Sequence, residues 1–295
     1  MYYNLISPCS YQGGKQRLAP EIAKYLMQDT NSETMFYDIC CGSGAISIEL
    51  INRGIPAKNI VMIDKGCFGA FWYAVSNKEF DMNIFENYIN QIPKDKNLIK
   101  SFMEELAKTD ATIDEVYKYI LLQATSFGSK VIWRENNKWC NTSFRSYWQP
   151  TATSNRQSPT NPIQPNPTVL FQRINNIVKY MSNIKAFNDD AKILFGFNIS
   201  SNSRIYIDPP YKNSTGYGFD LDILDYVSKL RKITNAPIFV SERIQFENCQ
   251  SIKLDFSKEK GGISGNRKDT FDEYLNIVSE YQAFTINRSR PKKLF

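Results

Sequence analysis

Short apolar runs alternate with stretches of helical period along most of the chain. Met35–Ile39, Ile60–Ile63, Ile184–Phe187, Arg204–Ile207, Pro237–Ser241 and Tyr274–Val278 are brief and rich in β-branched or aromatic residues, and read as strands. Leu18, Ile22 and Leu26 recur at helical spacing. Ala45–Arg53, Phe68–Ser76, Leu98–Ala107, Ile113–Phe127, Val169–Met181 and Leu221–Ile233 also read as helices, with Gly54 a stop signal for the first of them. Strands alternating with helices predict an α/β protein with a central sheet flanked by helices. There is no internal repeat.

The alternation breaks at Ser129 and resumes after Pro167. The intervening segment is polar and loop-like, and it holds three of the four tryptophans: Trp133, Trp139 and Trp148. Lys130, Arg134, Lys138, Arg145 and Arg156 are interleaved with those rings, and Pro159, Pro162, Pro165 and Pro167 end the segment. Cations suit phosphates, rings suit bases and amides suit base edges, so this pattern fits nucleic acid. The alternative is an irregular insertion whose tryptophans anchor it to the main body, although a functional loop is the commoner explanation for so long a non-repetitive insertion. A second basic, glycine-rich loop, Ser257–Thr270, carries Arg267 and Lys268 and suits a phosphate backbone.

Composition narrows the chemistry. The 295 residues carry a net charge of +6 and a pI near 8.8, which permits nucleic-acid binding without requiring it. No apolar run approaches the length of a membrane span, and the start lacks the basic-then-apolar pattern of a signal peptide. The six cysteines form no C-x-x-C and read as free thiols in a reducing, cytoplasmic setting. Cys40 and Cys41 would face opposite ways if they lay on a strand. The chain has no histidine at all, which removes Ser-His-Asp and Cys-His catalysis and histidine metal sites. No metal site is expected.

Three short motifs carry the remaining chemistry. Asp208-Pro209-Pro210-Tyr211 follows the Arg204–Ile207 strand, where open α/β sheets bind ligands. The prolines stiffen the turn and supply carbonyls without N–H groups, Asp208 adds a carboxylate, and Tyr211 adds a flat ring with a polar tip. Together they suit a planar, amino-bearing group; a rigid turn after a core strand is the alternative. Gly13-Gly14-Lys15 precedes a helix and can meet an anion, but it is not a Walker A loop. Asp38-Ile39-Cys40-Cys41-Gly42-Ser43-Gly44 is a strand, glycine turn and helix start. Asp64 ends the next strand about twenty residues beyond Gly44, where an acid commonly accepts from ribose hydroxyls. Together these pieces read as a nucleoside-binding βαβ unit.

Taken in order, Tyr11-Gln12-Gly13-Gly14-Lys15, the Asp38–Gly44 motif, Asp64, an insertion and Asp208–Tyr211 resemble the Dam-like (D12 class, alpha group) adenine-specific DNA methyltransferases, phage-type members above all. Cys40-Cys41 depart from the Pro-Phe frequent in that family. The resemblance spans nearly the whole chain. It implies a Rossmann-like S-adenosyl-methionine-dependent methyltransferase sheet flanked by helices, with an inserted target-recognition region. The catalytic domain would comprise 1–80 and 168–295, and the DNA-binding insert 81–167. The implied cofactor residues are Tyr11, Gly14, Lys15, Asp38, Gly42, Gly44, Asp64, Asp190 (with Asp189 a competitor) and Asp208. Asp208, Pro209, Pro210 and Tyr211 would be catalytic. Lys130, Arg134, Lys138, Arg145, Trp148, Arg156, Arg267 and Lys268 are the candidates for contact with double-stranded DNA. The implied reaction is methyl transfer to N6 of a flipped adenine, and a restriction partner is compatible with it. Methylation of cytosine in DNA or adenine in RNA uses similar chemistry, and a non-catalytic DNA-binding protein is a more distant alternative.

Overall fold

The structure is a computed structural model and describes residues 3–210, 221–254 and 272–279. In chain order its elements are α1 (Ala19–Leu26), β1 (Phe36–Ile39), α2 (Ala45–Asn52), β2 (Ile60–Ile63), α3 (Cys67–Ser76), α4 (Met82–Gln91), α5 (Ile99–Leu106) and α6 (Glu115–Thr125). They continue as β3 (Trp133–Glu135), β4 (Lys138–Cys140), α7 (Pro167–Met181), β5 (Lys185–Phe187), β6 (Arg204–Ile207), α8 (Ile223–Arg231), β7 (Ile238–Glu242), β8 (Gln250–Leu254) and β9 (Glu273–Val278). Each strand expected from an apolar run is present, as is each expected helix.

Seven strands form one sheet in the order β5-β2-β1-β6-β7-β9-β8. The first five are parallel, and β9 runs antiparallel between β7 and β8. All residues of β1, β2 and β6 are buried, as parallel strands covered on both faces require. Their side chains divide by the two-residue period. Phe36, Ile60, Met62 and Tyr206 enter a core shared with α1, α2, α3 and α7. Tyr37, Ile39, Val61, Ile63, Ile205 and Ile207 enter a second core beneath α8 and the 3₁₀ turn Ala191–Gly196. A residue on β1 is thereby committed to one layer or the other by its parity alone.

The 81–167 segment has no core of its own. Phe85, Met103, Tyr119, Trp139, Phe144 and Ile163 all join the first core. Helix α6 is buried from Tyr117 to Thr125, which suits its apolar character on nearly every side. It stops two residues before the expected end, because Ser126 is extended. Helix α4 is an addition to the elements expected from the sequence. Its apolar positions Met82, Ile84, Phe85 and Tyr88 are separated by asparagines, and Asp81 caps it by accepting from Asn83 N at 2.7 Å. The small β3–β4 hairpin, turning at Asn136-Asn137, and the half-exposed strand β8 are the other additions. Cys40 and Cys41 lie in the turn after β1, with Cys40 at φ 57°, so the opposite-face expectation does not arise. Among the described residues no helix is long and apolar enough to cross a membrane.

Candidate active site

Register brings the sequence motifs to one edge. Ile39 is paired with Ile63 on one side and with Ile207 on the other, so β1, β2 and β6 end level. The next residues are Cys40, Asp64 and Asp208. The chain leaves β1 toward β2 on one side and returns much later to β6 on the other. The gap between β1 and β6 is therefore the switch point of the sheet, where open α/β sheets form a crevice. A cleft of about 560 Å³, its open mouth included, lies there, lined by Tyr11, Gly14, Lys15, Asp38, Gly42, Asp64 and Asp208 with Pro209 and Pro210, among others.

The glycine turn has demanding geometry. Gly42 has φ 48° and Gly44 φ 71°, conformations that side chains disfavour. A Cβ on Gly42 would stand 3.0 Å from Cε1 of Tyr11. A Cβ on Gly44 would stand 2.9 Å from Cε2 of Trp72 and 3.0 Å from Cε of Met62. The turn is braced at both ends. Asp38 Oδ2 accepts from Ser47 N at 3.2 Å and Ser47 Oγ at 2.6 Å, tying the end of β1 to the start of α2. Asp64 Oδ2 accepts from Gly42 N at 2.8 Å and its Oδ1 from Gly66 N at 2.7 Å. The Gly69 N–H also bonds this carboxylate, so about one of its four acceptor sites is left for a ligand.

The cleft is acidic, with Asp38 and Asp64 buried and Asp208 partly so. Burial pushes Asp38 up to about 7; Ser47 opposes the rise and the nearby Asp208 and Asp64 add to it. Burial also raises Asp64 against the pull of backbone N–H groups. Asp208 is likewise pushed up to about 7 by burial, with Lys15 pulling the other way. Lys15 Nζ donates to Asp208 Oδ1 at 2.6 Å, to Gly13 O at 3.2 Å, and lies 3.4 Å from Glu273 Oε1. Burial alone would lower the Lys15 ammonium, but Asp208 and Glu273 outweigh it and hold it above its ordinary value.

Other expected residues stand elsewhere. Asp190 caps the 3₁₀ turn after β5, accepts from Lys192 N at 3.1 Å and pairs with Lys65 at 3.2 Å, outside the residues that line the cleft. Asp189 Oδ1 accepts from Asp190 N. In the 129–167 stretch, Lys130, Arg134, Lys138, Trp148 and Arg156 are exposed. Arg134 also pairs with Glu115 at 3.0 Å, and Arg156 donates to Pro159 O. Trp139 is buried and stacked on Tyr119, the anchoring alternative for that ring.

Arg145 differs from its expected role. Only 9 % of it is exposed, and its guanidinium donates to Ser126 O, Ala124 O and Gln164 Oε1. It is an internal brace of this segment, with its donors turned away from solvent. Tyr211, Arg267 and Lys268 lie outside the described residues. Ser129 O at the start of the segment accepts from Gln12 N at 2.9 Å, between the cleft-lining residues Tyr11 and Gly13.

Trp72, Ser47 and Glu273 are site residues that sequence reasoning passed over. Trp72 lies in the expected Phe68–Ser76 helix beside Phe68, Phe71 and Tyr73, with nothing local to set it apart, and Glu273 precedes a predicted strand whose direction no local signal reveals. Among the described residues no group of three or more histidine, cysteine or acidic side chains is arranged for a metal.

The strand order, with antiparallel β9 set between β7 and β8, and a glycine- and acid-lined cleft at the switch point together define a Rossmann-like methyltransferase fold. The model of one family, described as D12 class N6 adenine-specific DNA methyltransferase, matches residues 11–236, and the chain belongs to that family of S-adenosyl-methionine-dependent enzymes. Its reaction is adenine-specific methylation of DNA. No curated protein sequence matches the chain.

Proposed function

We propose that the cleft binds S-adenosyl-methionine and that an adenine turned out of double-stranded DNA enters it beside Asp208. The carrying observation is the register that ends β1, β2 and β6 level and sets Asp38, Asp64 and Asp208 around one cleft. A cationic, hydroxyl-bearing nucleoside suits that donor set. Three buried or half-buried carboxylates favour an ammonium and a sulfonium, Asp64 retains acceptor capacity for ribose hydroxyls, and Gly42 lets backbone and ligand approach closely. Tyr11, Gly14 and Lys15 complete the proposed cofactor set within the cleft, with Gly44 shaping the turn and Asp190, outside the lining, proposed to meet the cofactor where it extends past the cleft. The bound cofactor supplies a methyl group already activated by its sulfonium.

The adenine amino nitrogen is a poor nucleophile because its lone pair is delocalised into the ring. Asp208 and the Pro209 carbonyl are acceptors for its two hydrogens. Holding both favours a more tetrahedral nitrogen with a localised lone pair. Its N–C bond would form as the sulfonium S–C bond breaks; the nitrogen, then cationic and acidic, would release one proton to water. Positioning and fixed charge then supply most of the catalysis, and no histidine base is needed. Pro210 stiffens the turn, and Tyr211 is the stacking partner read from the sequence. The base must leave the duplex to reach such a cleft. Lys130, Arg134, Lys138 and Arg156 are proposed to meet phosphates, Trp148 to stack on a base, and Arg267 and Lys268 to add backbone contacts. The free cysteines fit a reducing, cytoplasmic setting.

The test is nucleoside mass spectrometry of duplex DNA incubated with the purified protein and S-adenosyl-methionine. N6-methyladenine is expected with the wild type and at least about a hundredfold less with Asp208→Ala. N4-methylcytosine as the product, methylation confined to RNA, or normal methylation by Asp208→Ala would overturn the reading.

A further inference from the structure

The sheet carries a second buried acid to the proposed catalytic carboxylate, and it lies beyond the residues that the family model matches. Strand β9 is antiparallel to β7, with Glu242 opposite Tyr274, and antiparallel to β8, with Leu254 opposite Glu273. Parallel strands deliver their last residues to the cleft edge, so an antiparallel strand among them delivers its first. Glu273 is that first residue. It is 4 % exposed, and its Oε1 lies 3.4 Å from Lys15 Nζ, which is itself 2.6 Å from Asp208 Oδ1. Lys15 thus sits between carboxylates from β6 and β9, two strands separated by β7.

We propose that Glu273 is a positioning residue of the methylation reaction: it anchors the Lys15 ammonium from the far side and shares its charge, so that Asp208 stays a strong acceptor for the substrate amine. The proposal rests on the functional reading above. Without Glu273, more of the Lys15 charge would fall on Asp208, and a carboxylate more fully neutralised by an ammonium accepts more weakly from a neutral N–H. Burying a lysine against a single acid would also leave the ammonium's place set by one contact, whereas two acids and the Gly13 carbonyl hold it from several directions.

The groups that face Asp208 are Lys15 from the loop before α1, Asp38 from β1, Tyr206 from β6, Glu242 from β7 and Glu273 from β9. Lys15 pulls the Asp208 carboxyl down, while Glu273 and Glu242 push it up. Removing the Glu273 charge therefore has a defined sign. Asp208 should lose its proton at lower pH and become a poorer acceptor once ionised.

The experiment compares wild type and Glu273→Gln in steady-state methylation of duplex DNA across pH 5.5–9, a range set about two units either side of neutrality. With Glu273→Gln, kcat should fall about tenfold on the alkaline plateau while KM for DNA stays within about twofold. The acidic limb of the rate should move lower by about half a pH unit or more. Unchanged kcat overturns the proposal. So does a loss of kcat with an unmoved acidic limb, which is what a merely structural role would produce. If Glu273→Gln does not fold, Glu273→Asp is measured in the same way. It withdraws the charge by one methylene, and a smaller shift in the same direction is expected; an unmoved limb overturns the proposal. Wild-type production of N6-methyladenine is measured alongside. An inactive wild type fails the functional reading, whereas an active wild type with an indifferent variant fails only the role of Glu273.

Discussion

Trp72 lies directly under Gly44. The indole ring of Trp72 on α3 occupies the space that a Cβ on Gly44 would need, and its Nε1 donates to Gly42 O at 2.8 Å. Among the aromatic residues of α3, Trp72 is thus shaped to the glycine turn. The packing of α3 and the conformation of the cleft floor are therefore one feature.

Gly44→Ala should lower stability by about 2–4 kcal/mol, from the positive φ and the overlap with Trp72 together. Denaturant unfolding measures that loss. S-adenosyl-methionine binding by calorimetry should weaken in the fraction that remains folded.

Lys15→Met should shift the acidic limb of methylation upward. Lys15 is the group that pulls the Asp208 carboxyl down against burial, so without it Asp208 keeps its proton to higher pH. At pH near 7.5 the rate should fall by about a hundredfold, with partial recovery as pH rises. The direction is opposite to that expected for Glu273→Gln, and a pH–rate profile of both variants separates them.

Arg145→Ala should act on folding. Its three hydrogen-bonded partners, Ser126 O, Ala124 O and Gln164, would lose a buried donor, at a cost of about 2–4 kcal/mol. Trp148→Ala, at a ring 39 % exposed, should change stability by no more than about 0.5 kcal/mol and weaken DNA binding by about 1–3 kcal/mol. Thermal unfolding and fluorescence anisotropy with duplex DNA check the two halves. Equal DNA affinity for Trp148→Ala and wild type would remove that ring from the interface.

Asp38 makes stability depend on pH. Its carboxyl is raised by burial from 3.8 to about 7, so between those values the folded protein holds a proton that the unfolded chain has released. The stabilisation it provides is complete below the lower value and lost as pH rises through the upper one. Across that window wild type should lose stability relative to Asp38→Asn at up to about 1.4 kcal/mol per pH unit. Unfolding at pH 5 and pH 8 measures it, and equal pH dependence in the two proteins would refute it.

The expected β1, β2, β6 and β7 match the structure to within a residue or so, and most expected helices to within two or three. Their signal is local: a buried strand needs an apolar run whatever it pairs with. Helix α4 was less legible because its asparagines dilute the apolar period, and Asp81 was its clearest mark. The 129–167 stretch was legible as chemistry but not as placement. Of two basic residues in it, Lys138 is exposed while Arg145 is buried, and nothing in their neighbours along the chain distinguishes them.

By itself the sequence determined where the chain is strand or helix, which turns need glycine, and that an ordered set of motifs belongs to adenine-specific DNA methylation. Each depends on residues close together along the chain or on their order. Tertiary structure alone decided which of those residues meet. Lys15 and Asp208 are 193 positions apart and touch because the β1–β6 register sets Asp208 at the cleft edge while the loop before α1, a helix packed on α2, brings Lys15 to the same edge. Glu273 joins them because β9 runs against its neighbours, which turns the beginning of a strand toward the edge where the others end. Strand order and direction follow from packing over the whole core, and a local stretch of sequence carries no record of them.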